Sequence, residues 1–275
     1  MEMASALRIF FSLALFGLLF WWVGLPVLER VNIYFPTKRV EATPEAIGLS
    51  YEEVAFPAAD GVSLKGWWIP ARSPRGTVIF FHGNAGNISH RLVHAERIHQ
   101  LDLQLLLFDY RGYGQSAGRP TEQGLYRDAL GAWRYLERRG DVRMDRLIYY
   151  GESLGSAIAV EMALQHPPAV LVLEGGFTSV PAMARQIYPW FPMGRFLRTR
   201  YDTQAKLTHV TCPTLILHSK EDEMIPFSHG ERLLNASGAD LKRLRPLTGG
   251  HNEAFLNHAD EITTEWNRFL QEAGI

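Results

Sequence analysis

Short apolar runs recur along most of this chain and alternate with segments of helical periodicity. Runs without polar interruption are expected for strands whose sheet is covered by helices on both faces. Their alternation with helical segments, such as residues 125–138 and 259–272, predicts a mostly parallel sheet with crossover helices. The predicted core strands are residues 77–81, 103–108, 147–150, 170–173, 214–218 and, more weakly, 241–247.

Two further runs precede this series and predict a hairpin. Residues 51–56 and 64–69 flank the dipeptide Asp60-Gly61, which favours a tight turn. We therefore expect the sheet to open with an antiparallel pair of strands.

The N-terminus has a different pattern. Residues 9–28 carry no charge between Arg8 and Glu29. As a helix rising about 1.5 Å per residue, this run is roughly 30 Å long, the thickness of a bilayer's hydrocarbon core. Trp21 and Trp22 suit the membrane interface near its far end. We predict a single transmembrane anchor within residues 1–30, with the bilayer as a partner.

A cleaved signal peptide is the alternative for this segment. Signal peptides have a shorter apolar region of about 7–15 residues that ends in a small-residue cleavage site. Here the apolar run is longer and closes on Leu25-Pro26-Val27-Leu28-Glu29-Arg30. Basic residues lie on both sides of the run, so the sequence leaves open which side of the membrane holds the rest of the chain.

The remaining residues, 31–275, are enough for one large α/β domain with a well-buried sheet. The chain has 275 residues, of which 47% are hydrophobic, and its formal net charge is -1. Nucleic acid is not expected as a partner, because phosphate binding needs a basic surface. Cys212 is the only cysteine, which excludes an intrachain disulfide and predicts a buried thiol. The oligomeric state stays open.

The pentapeptide Gly151-Glu152-Ser153-Leu154-Gly155 carries the strongest chemical signal. It joins the predicted strand 147–150 to a helical run over residues 156–164. A strand, a G-x-S-x-G turn and a helix together form a nucleophile elbow, in which the serine stands exposed at the start of the helix. An ordinary turn serine between glycines is the alternative. We predict that Ser153 is a catalytic nucleophile.

A serine nucleophile needs a base and an orienting carboxylate, which follow it in this arrangement in the order acid, then histidine. The loop after residues 214–218 contains Glu221, Asp222 and Glu223, and the loop after the last strand contains His251. Both loops follow the carboxyl ends of strands, where such sheets gather their chemistry. We predict that Asp222 is the acid and His251 the base.

The choice of Asp222 rests on a resemblance. Residues His218 to Pro226 fit the H-x-x-x-D-x-x-[IV]-P loop of the α/β-hydrolase superfamily, in register with Asp222. Glu221 and Glu223 are then expected to be solvated. From about Ile33 onward the chain resembles a subgroup of membrane-anchored serine hydrolases that includes protein depalmitoylases. The motifs that carry this resemblance are Tyr34-Phe35-Pro36, HGNAGN, DYRGYGQS, GESLGS, Phe177-Thr178-Ser179, the Asp222 loop and GGHN.

The resemblance implies the α/β-hydrolase fold and an oxyanion hole. Its two donors are expected to be the backbone N–H groups of Asn84, which follows His82-Gly83, and of Leu154, which follows the nucleophile. Ser156 departs from the family pattern, which more often has glycine there. The chain also lacks a cysteine near its N-terminus, so anchoring by S-acylation is excluded.

Two other motifs favour structural roles. His90, His94 and His99 include an i, i+4 pair, but no H-E-x-x-H or carboxylate companion accompanies them, so a polar helix face is expected rather than a metal site. The glycine spacing in DYRGYGQS differs by one position from the dinucleotide-binding fingerprint, and we interpret this motif as a structural loop. We expect no cofactor and no metal.

Residues 181–207 interrupt the alternation with an apolar, aromatic stretch. Its internal prolines exclude one long helix, and short helices around bends are expected. This segment is predicted to form a small cap over the active-site end of the sheet, with core packing as the alternative. Tyr188, Trp190 and Phe191 of the cap, together with Tyr110, are candidate substrate contacts.

These features predict a membrane-tethered serine hydrolase of acyl esters or thioesters. The anchor and the aromatic cap favour lipid-like substrates, such as a monoacylglycerol, a lysophospholipid or an acylated protein. A serine peptidase and a noncatalytic scaffold of the same fold are the alternatives.

Overall fold

The computed structural model describes residues 2–190 and 193–275, with side chains described from residue 7 onward apart from residues 191–193. Its centre is an eight-stranded sheet with the strand order β10-β9-β8-β7-β4-β6-β3-β2. The strands are β2 (Glu52–Pro57), β3 (Ser63–Ile69), β4 (Gly76–Phe81), β6 (Leu103–Asp109), β7 (Leu147–Glu152), β8 (Val170–Glu174), β9 (Thr214–Ser219) and β10 (Lys242–Leu247). A separate two-stranded sheet pairs β1 (Phe35–Pro36) with β5 (Ala85–Gly86).

All neighbours from β10 to β6 pair in parallel, whereas β3 runs antiparallel to both β6 and β2. The predicted hairpin is therefore confirmed, as is the mostly parallel sheet. The weak run at residues 241–247 forms the edge strand β10, because it pairs with β9 along its whole length.

Helices cover both faces of the sheet. They are α3 (Leu92–His99), α4 (Glu122–Glu137), α5 (Leu154–Gln165), α6 (Val180–Ile187), α7 (Thr203–Leu207), α8 (Ser228–Ala236), α9 (Ala254–Asn257) and α10 (Ala259–Glu272). Along β4 the side chains alternate between two buried clusters, with Ile79 and Phe81 in one, and Val78 and Phe80 in the other. Both faces are thus apolar, which is why the core strands read as continuous apolar runs.

The N-terminal helix begins with α1 (Glu2–Leu19), continues through a π-helical turn at Phe20–Gly24, and ends with α2 (Leu25–Ile33). Residues Leu7–Ile33 are long and apolar enough to cross a membrane, with a mean hydropathy of 2.0. A signal sequence would pass the same test of length and composition. Side chains are exposed up to Val23, whereas Leu25 and Glu29 are buried against the domain. The last turns of the helix therefore belong to the folded body.

The loop after β6 has the structural role expected of DYRGYGQS. The Arg111 guanidinium donates to Asp128 at 2.8 Å and to Asp60 at 2.7 Å, which ties the loop to α4 and to the hairpin turn. Gly114 has φ 44°, and a Cβ there would overlap the Asp109 carboxylate. Cys212 is buried, as predicted.

Candidate active site

Ser153 lies on a sharp turn between β7 and α5. Its φ of 51° is in the left-handed region, which is uncommon for a residue other than glycine. Its N–H donates to the Glu174 carbonyl of β8 at 2.7 Å, which holds the turn against the sheet. A Cβ at Gly151 would lie 2.5 Å from the Gly155 oxygen, and one at Gly155 would overlap the Phe81 oxygen. The two glycines are therefore required by the close approach of α5 to the strands.

The structure brings Ser153, Asp222 and His251 together from three loops at the carboxyl ends of strands. The distance from His251 Nε2 to Ser153 Oγ is 3.1 Å, and the distance from His251 Nδ1 to Asp222 Oδ2 is 2.7 Å. The side chains of Asp222 and His251 are 2% and 8% exposed. The imidazole is thus held between the serine hydroxyl and a shielded carboxylate, which is the arrangement that a serine hydrolase requires.

Backbone amides fix the Asp222 carboxylate. Its Oδ1 accepts hydrogen bonds from the N–H groups of Met224 at 2.9 Å and Ile225 at 2.7 Å, which leaves Oδ2 for the histidine. Burial opposes ionisation of Asp222, but the hydrogen bonds from His251 and Ile225 outweigh it and keep its pKa below the ordinary value. The acid is therefore ionised near neutral pH.

The pKa of His251 is shifted in the opposite direction. Burial disfavours the imidazolium, but the hydrogen bond and charge of Asp222 outweigh it and raise the pKa above the ordinary value. Glu152 and Glu174 add to this increase through their charges. The neighbouring His218 stays neutral because burial lowers its pKa, and its Nε2 donates to the Ile225 carbonyl at 2.7 Å.

Glu221 and Glu223, the two acidic neighbours of Asp222, are solvated and also bind the loop that carries His251. Both are exposed, but Glu221 accepts a hydrogen bond from the Gly249 N–H at 2.8 Å, and Glu223 accepts one from the His251 N–H at 3.0 Å. Their exposure agrees with the expectation, and the two hydrogen bonds add a role that was not expected, because they hold the loop that carries the histidine. Their only signal in the sequence was their adjacency to Asp222.

The two predicted oxyanion donors lie next to the elbow. Asn84 follows β4, where its carbonyl accepts from the Tyr113 hydroxyl at 2.8 Å and its side chain donates to Ile33 at 3.0 Å. Leu154 begins α5, whose first turn touches the end of β4. Within residues 2–190 and 193–275, neither backbone N–H donates to a protein acceptor. Both amides stay available for an oxyanion, and their role stays a prediction.

A partly buried cluster of charged and histidine side chains behind the elbow was not expected from the sequence. Arg91 pairs with Glu152 at 2.7 Å, and His94 lies 3.6 Å from Glu174, whose carboxylate also accepts from the Tyr150 hydroxyl. His94 is buried and stacks on Phe255, so the interpretation of its helix face as polar is wrong at this position. Among the described side chains, no group of three or more histidine, cysteine or acidic residues could hold a metal ion.

The candidate substrate contacts divide into two groups. Tyr110 is fully buried and its hydroxyl donates to the His82 carbonyl at 3.2 Å, so it holds the loop after β4 and is not accessible for direct substrate contact. Tyr188 and Trp190 lie on the surface of the cap, 41% and 80% exposed. Phe191 lies outside the described residues.

Comparison with known proteins places the chain in a family. Protein Rv2307c of Mycobacterium tuberculosis is 38% identical over 250 residues, which are 90% of this chain and 89% of that protein. The alpha/beta hydrolase domain-containing protein WAV2 of Arabidopsis thaliana is 33% identical over 79% of this chain and 75% of its own length. The chain belongs to the α/β-hydrolase family.

A family model described as serine aminopeptidase, S33, matches residues 72–201, a range that includes Ser153 but ends before Asp222 and His251. An esterase of Pyrococcus furiosus superposes with a TM-score of 0.75 at 17% identity, covering 87% of this chain and 98% of the esterase. An esterase of Exiguobacterium antarcticum gives a TM-score of 0.63 at 19% identity, covering 80% of this chain and all of that protein. At these identities the superpositions show the shared α/β-hydrolase fold.

Proposed function

We propose that this chain is a membrane-anchored serine hydrolase that cleaves acyl esters or thioesters. The observation that carries the proposal is the hydrogen-bonded series Ser153–His251–Asp222, with distances of 3.1 Å and 2.7 Å. Membership of the α/β-hydrolase family supports it.

The geometry supports a two-step acyl transfer. Ser153 Oγ attacks the carbonyl carbon of the substrate while its proton moves to His251 Nε2, and the backbone N–H groups of Asn84 and Leu154 stabilise the oxyanion. The bond to the leaving group then breaks as the imidazolium gives that group its proton. Water then attacks the carbonyl carbon of the acyl-enzyme while His251 takes a proton from the water. The bond between the acyl group and Ser153 Oγ breaks, and His251 returns the proton to Ser153 Oγ. Asp222 orients the imidazole throughout.

The membrane part of the proposal rests on the N-terminal helix. Residues Leu7–Ile33 suit a single-pass anchor, and an uncleaved helix would place the cap near a bilayer. This arrangement favours lipid-like acyl substrates, such as a monoacylglycerol, a lysophospholipid or an acylated protein. A mass measurement of the mature protein tests the anchor, since loss of roughly 30 residues would identify a signal peptide instead.

Fluorophosphonate labelling of the intact chain in detergent tests the nucleophile. Ser153→Ala should abolish covalent labelling, whereas Ser73→Ala, in an exposed loop, should leave it unchanged. Labelling that persists at another serine in the Ser153→Ala variant would overturn the assignment.

Peptidase activity is the second candidate, because the matching family model is described as a serine aminopeptidase. Hydrolysis of p-nitrophenyl acyl esters and acyl thioesters, compared with peptide anilides on the same preparation, separates the two. Faster turnover of peptide anilides would replace the ester and thioester proposal while leaving the nucleophile in place.

A further inference from the structure

The cap carries an excess of positive charge. Residues 181–207 contain five basic residues and one carboxylate, which are Arg185, Arg195, Arg198, Arg200, Lys206 and Asp202. Three carboxylates from other elements also contact the cap. Glu161 pairs with Lys206 at 2.7 Å, whereas the other two bind the cap backbone. Glu29 accepts from the amides of residues 198 and 199, and Glu122 accepts from those of residues 200 and 201. These carboxylates offset part of the positive charge of the cap, but among the described residues none of the three forms an ion pair with a cap arginine.

Three of these arginines line a cavity of about 470 Å³ on the cap. Arg185 comes from α6, Arg195 from the turn after it, and Arg200 from the segment before α7, while Trp190 forms part of the wall. Neither Arg185 nor Arg195 has an ion-pair partner in the part of the chain that the structure describes. Arg200 lies 3.4 Å from Asp202, an exposed pair that neutralises little of its charge.

The N-terminal helix fixes where this cavity would lie relative to a bilayer. The guanidinium of Arg198 lies 5.3 Å from the ring centre of Trp21 and 4.8 Å from that of Trp22. After these tryptophans the helix packs against the domain, and the buried Glu29 accepts hydrogen bonds from the cap amides. If the exposed part of the helix spans the membrane, the two tryptophans mark the interface, and the cap lies at the depth of the lipid phosphates.

We infer that the cavity lined by Arg185, Arg195 and Arg200 binds the phosphate of an anionic phospholipid in the bilayer. Guanidinium groups bind phosphate oxygens with paired, charge-assisted hydrogen bonds. The indole of Trp190, 80% exposed at the rim, is of the amphipathic kind that favours the membrane interface. The inference rests on the proposed membrane anchor, and it adds a lipid-binding site outside the Ser153 centre.

Native mass spectrometry of the detergent-solubilised full chain tests this site. The protein is mixed with equal amounts of phosphatidylglycerol and phosphatidylcholine that carry identical acyl chains. Wild type should retain phosphatidylglycerol preferentially. Each arginine near a lipid surface is worth about fivefold in binding, so the triple change to glutamine should reduce this retention about a hundredfold, and Arg195→Gln alone about fivefold.

A matched variant controls for net charge. Arg134, Arg138 and Arg143 are exposed at the opposite end of the sheet, and changing all three to glutamine removes the same charge. This control should keep wild-type retention. Equal loss in both triple variants, or no preference in wild type, would overturn the inference.

Two further arms separate other causes. Inorganic phosphate is added at the same concentration as the lipid. If it displaces phosphatidylglycerol from wild type, the ligand of the cavity is a soluble phosphate compound and not a lipid. Fluorophosphonate labelling of wild type in the same detergent reports separately on Ser153. Lipid selectivity without labelling would overturn the proposed nucleophile and support the phosphate site, whereas labelling without lipid selectivity would do the reverse.

Discussion

Replacing Asp222 by asparagine should reverse the proton arrangement of the neighbouring histidine. Asp222 Oδ1 accepts from two backbone amides at 2.9 Å and 2.7 Å, so the carbonyl oxygen of an asparagine must take that position. The NH2 group then takes the position of Asp222 Oδ2, which lies 2.7 Å from His251 Nδ1 in the wild-type protein. A neutral imidazole would accept at Nδ1 and carry its proton on Nε2, directed at Ser153. It could no longer accept the serine proton.

The expected loss in kcat is large. The same carboxylate-to-amide change in a well-studied serine protease lowers kcat about 10⁴-fold without disturbing the geometry. This factor corresponds to about 5.5 kcal/mol of transition-state stabilisation. We expect Asp222→Asn to lie within about tenfold of that figure, because the two amides leave the asparagine no alternative orientation.

The assay is kcat and KM for a soluble p-nitrophenyl ester on the intact chain in detergent. Glu221→Gln is the matched control, since its oxygen can still accept from the Gly249 amide, and less than about a threefold change is expected. Thermal unfolding should show that both variants fold. An Asp222→Asn enzyme within about tenfold of wild type, or an equal loss in Glu221→Gln, would refute the reasoning.

Three further predictions concern the elbow, the base and the anchor. Gly155→Ala should destabilise the fold by about 1–3 kcal/mol in denaturant titration, because its Cβ would overlap a carbonyl of β4, whereas Gly140→Ala, in open space, should not. Because the pKa of His251 is raised, kcat/KM should increase with pH through an apparent pKa above 6.5, and a plateau that begins below this value would contradict the His251–Asp222 coupling. Glu29→Ala should leave two partly buried cap amides without their charged acceptor, at a cost of about 1–3 kcal/mol, and speed tryptic cleavage of the cap. Equal cleavage in Glu45→Ala, an exposed control, would contradict that role.

The sequence alone determined the architecture, because its signals are local. Continuous apolar runs and their spacing specify strands covered on both faces, and Gly151 and Gly155 specify a turn that no other residue fits. The candidate catalytic residues were also found from the sequence. Ser153 and His251 each follow the carboxyl end of a predicted strand, and the resemblance to the α/β-hydrolase loop favoured Asp222 over its two acidic neighbours. Fold topology brings such ends to one edge of a parallel sheet.

Only the tertiary structure decided which other residues support that site. Ser153 and His251 are 98 positions apart. The residues that hold them lie on other strands and loops, and no pattern in the sequence links those segments to either residue. The exposed Glu223 binds the histidine loop, and the buried Glu29 joins the N-terminal helix to the cap. Carboxylates like these have no periodicity, so a pattern of apolar positions contains no information on their partners. Their roles depend on packing between distant segments, which the order of residues specifies only through the complete fold.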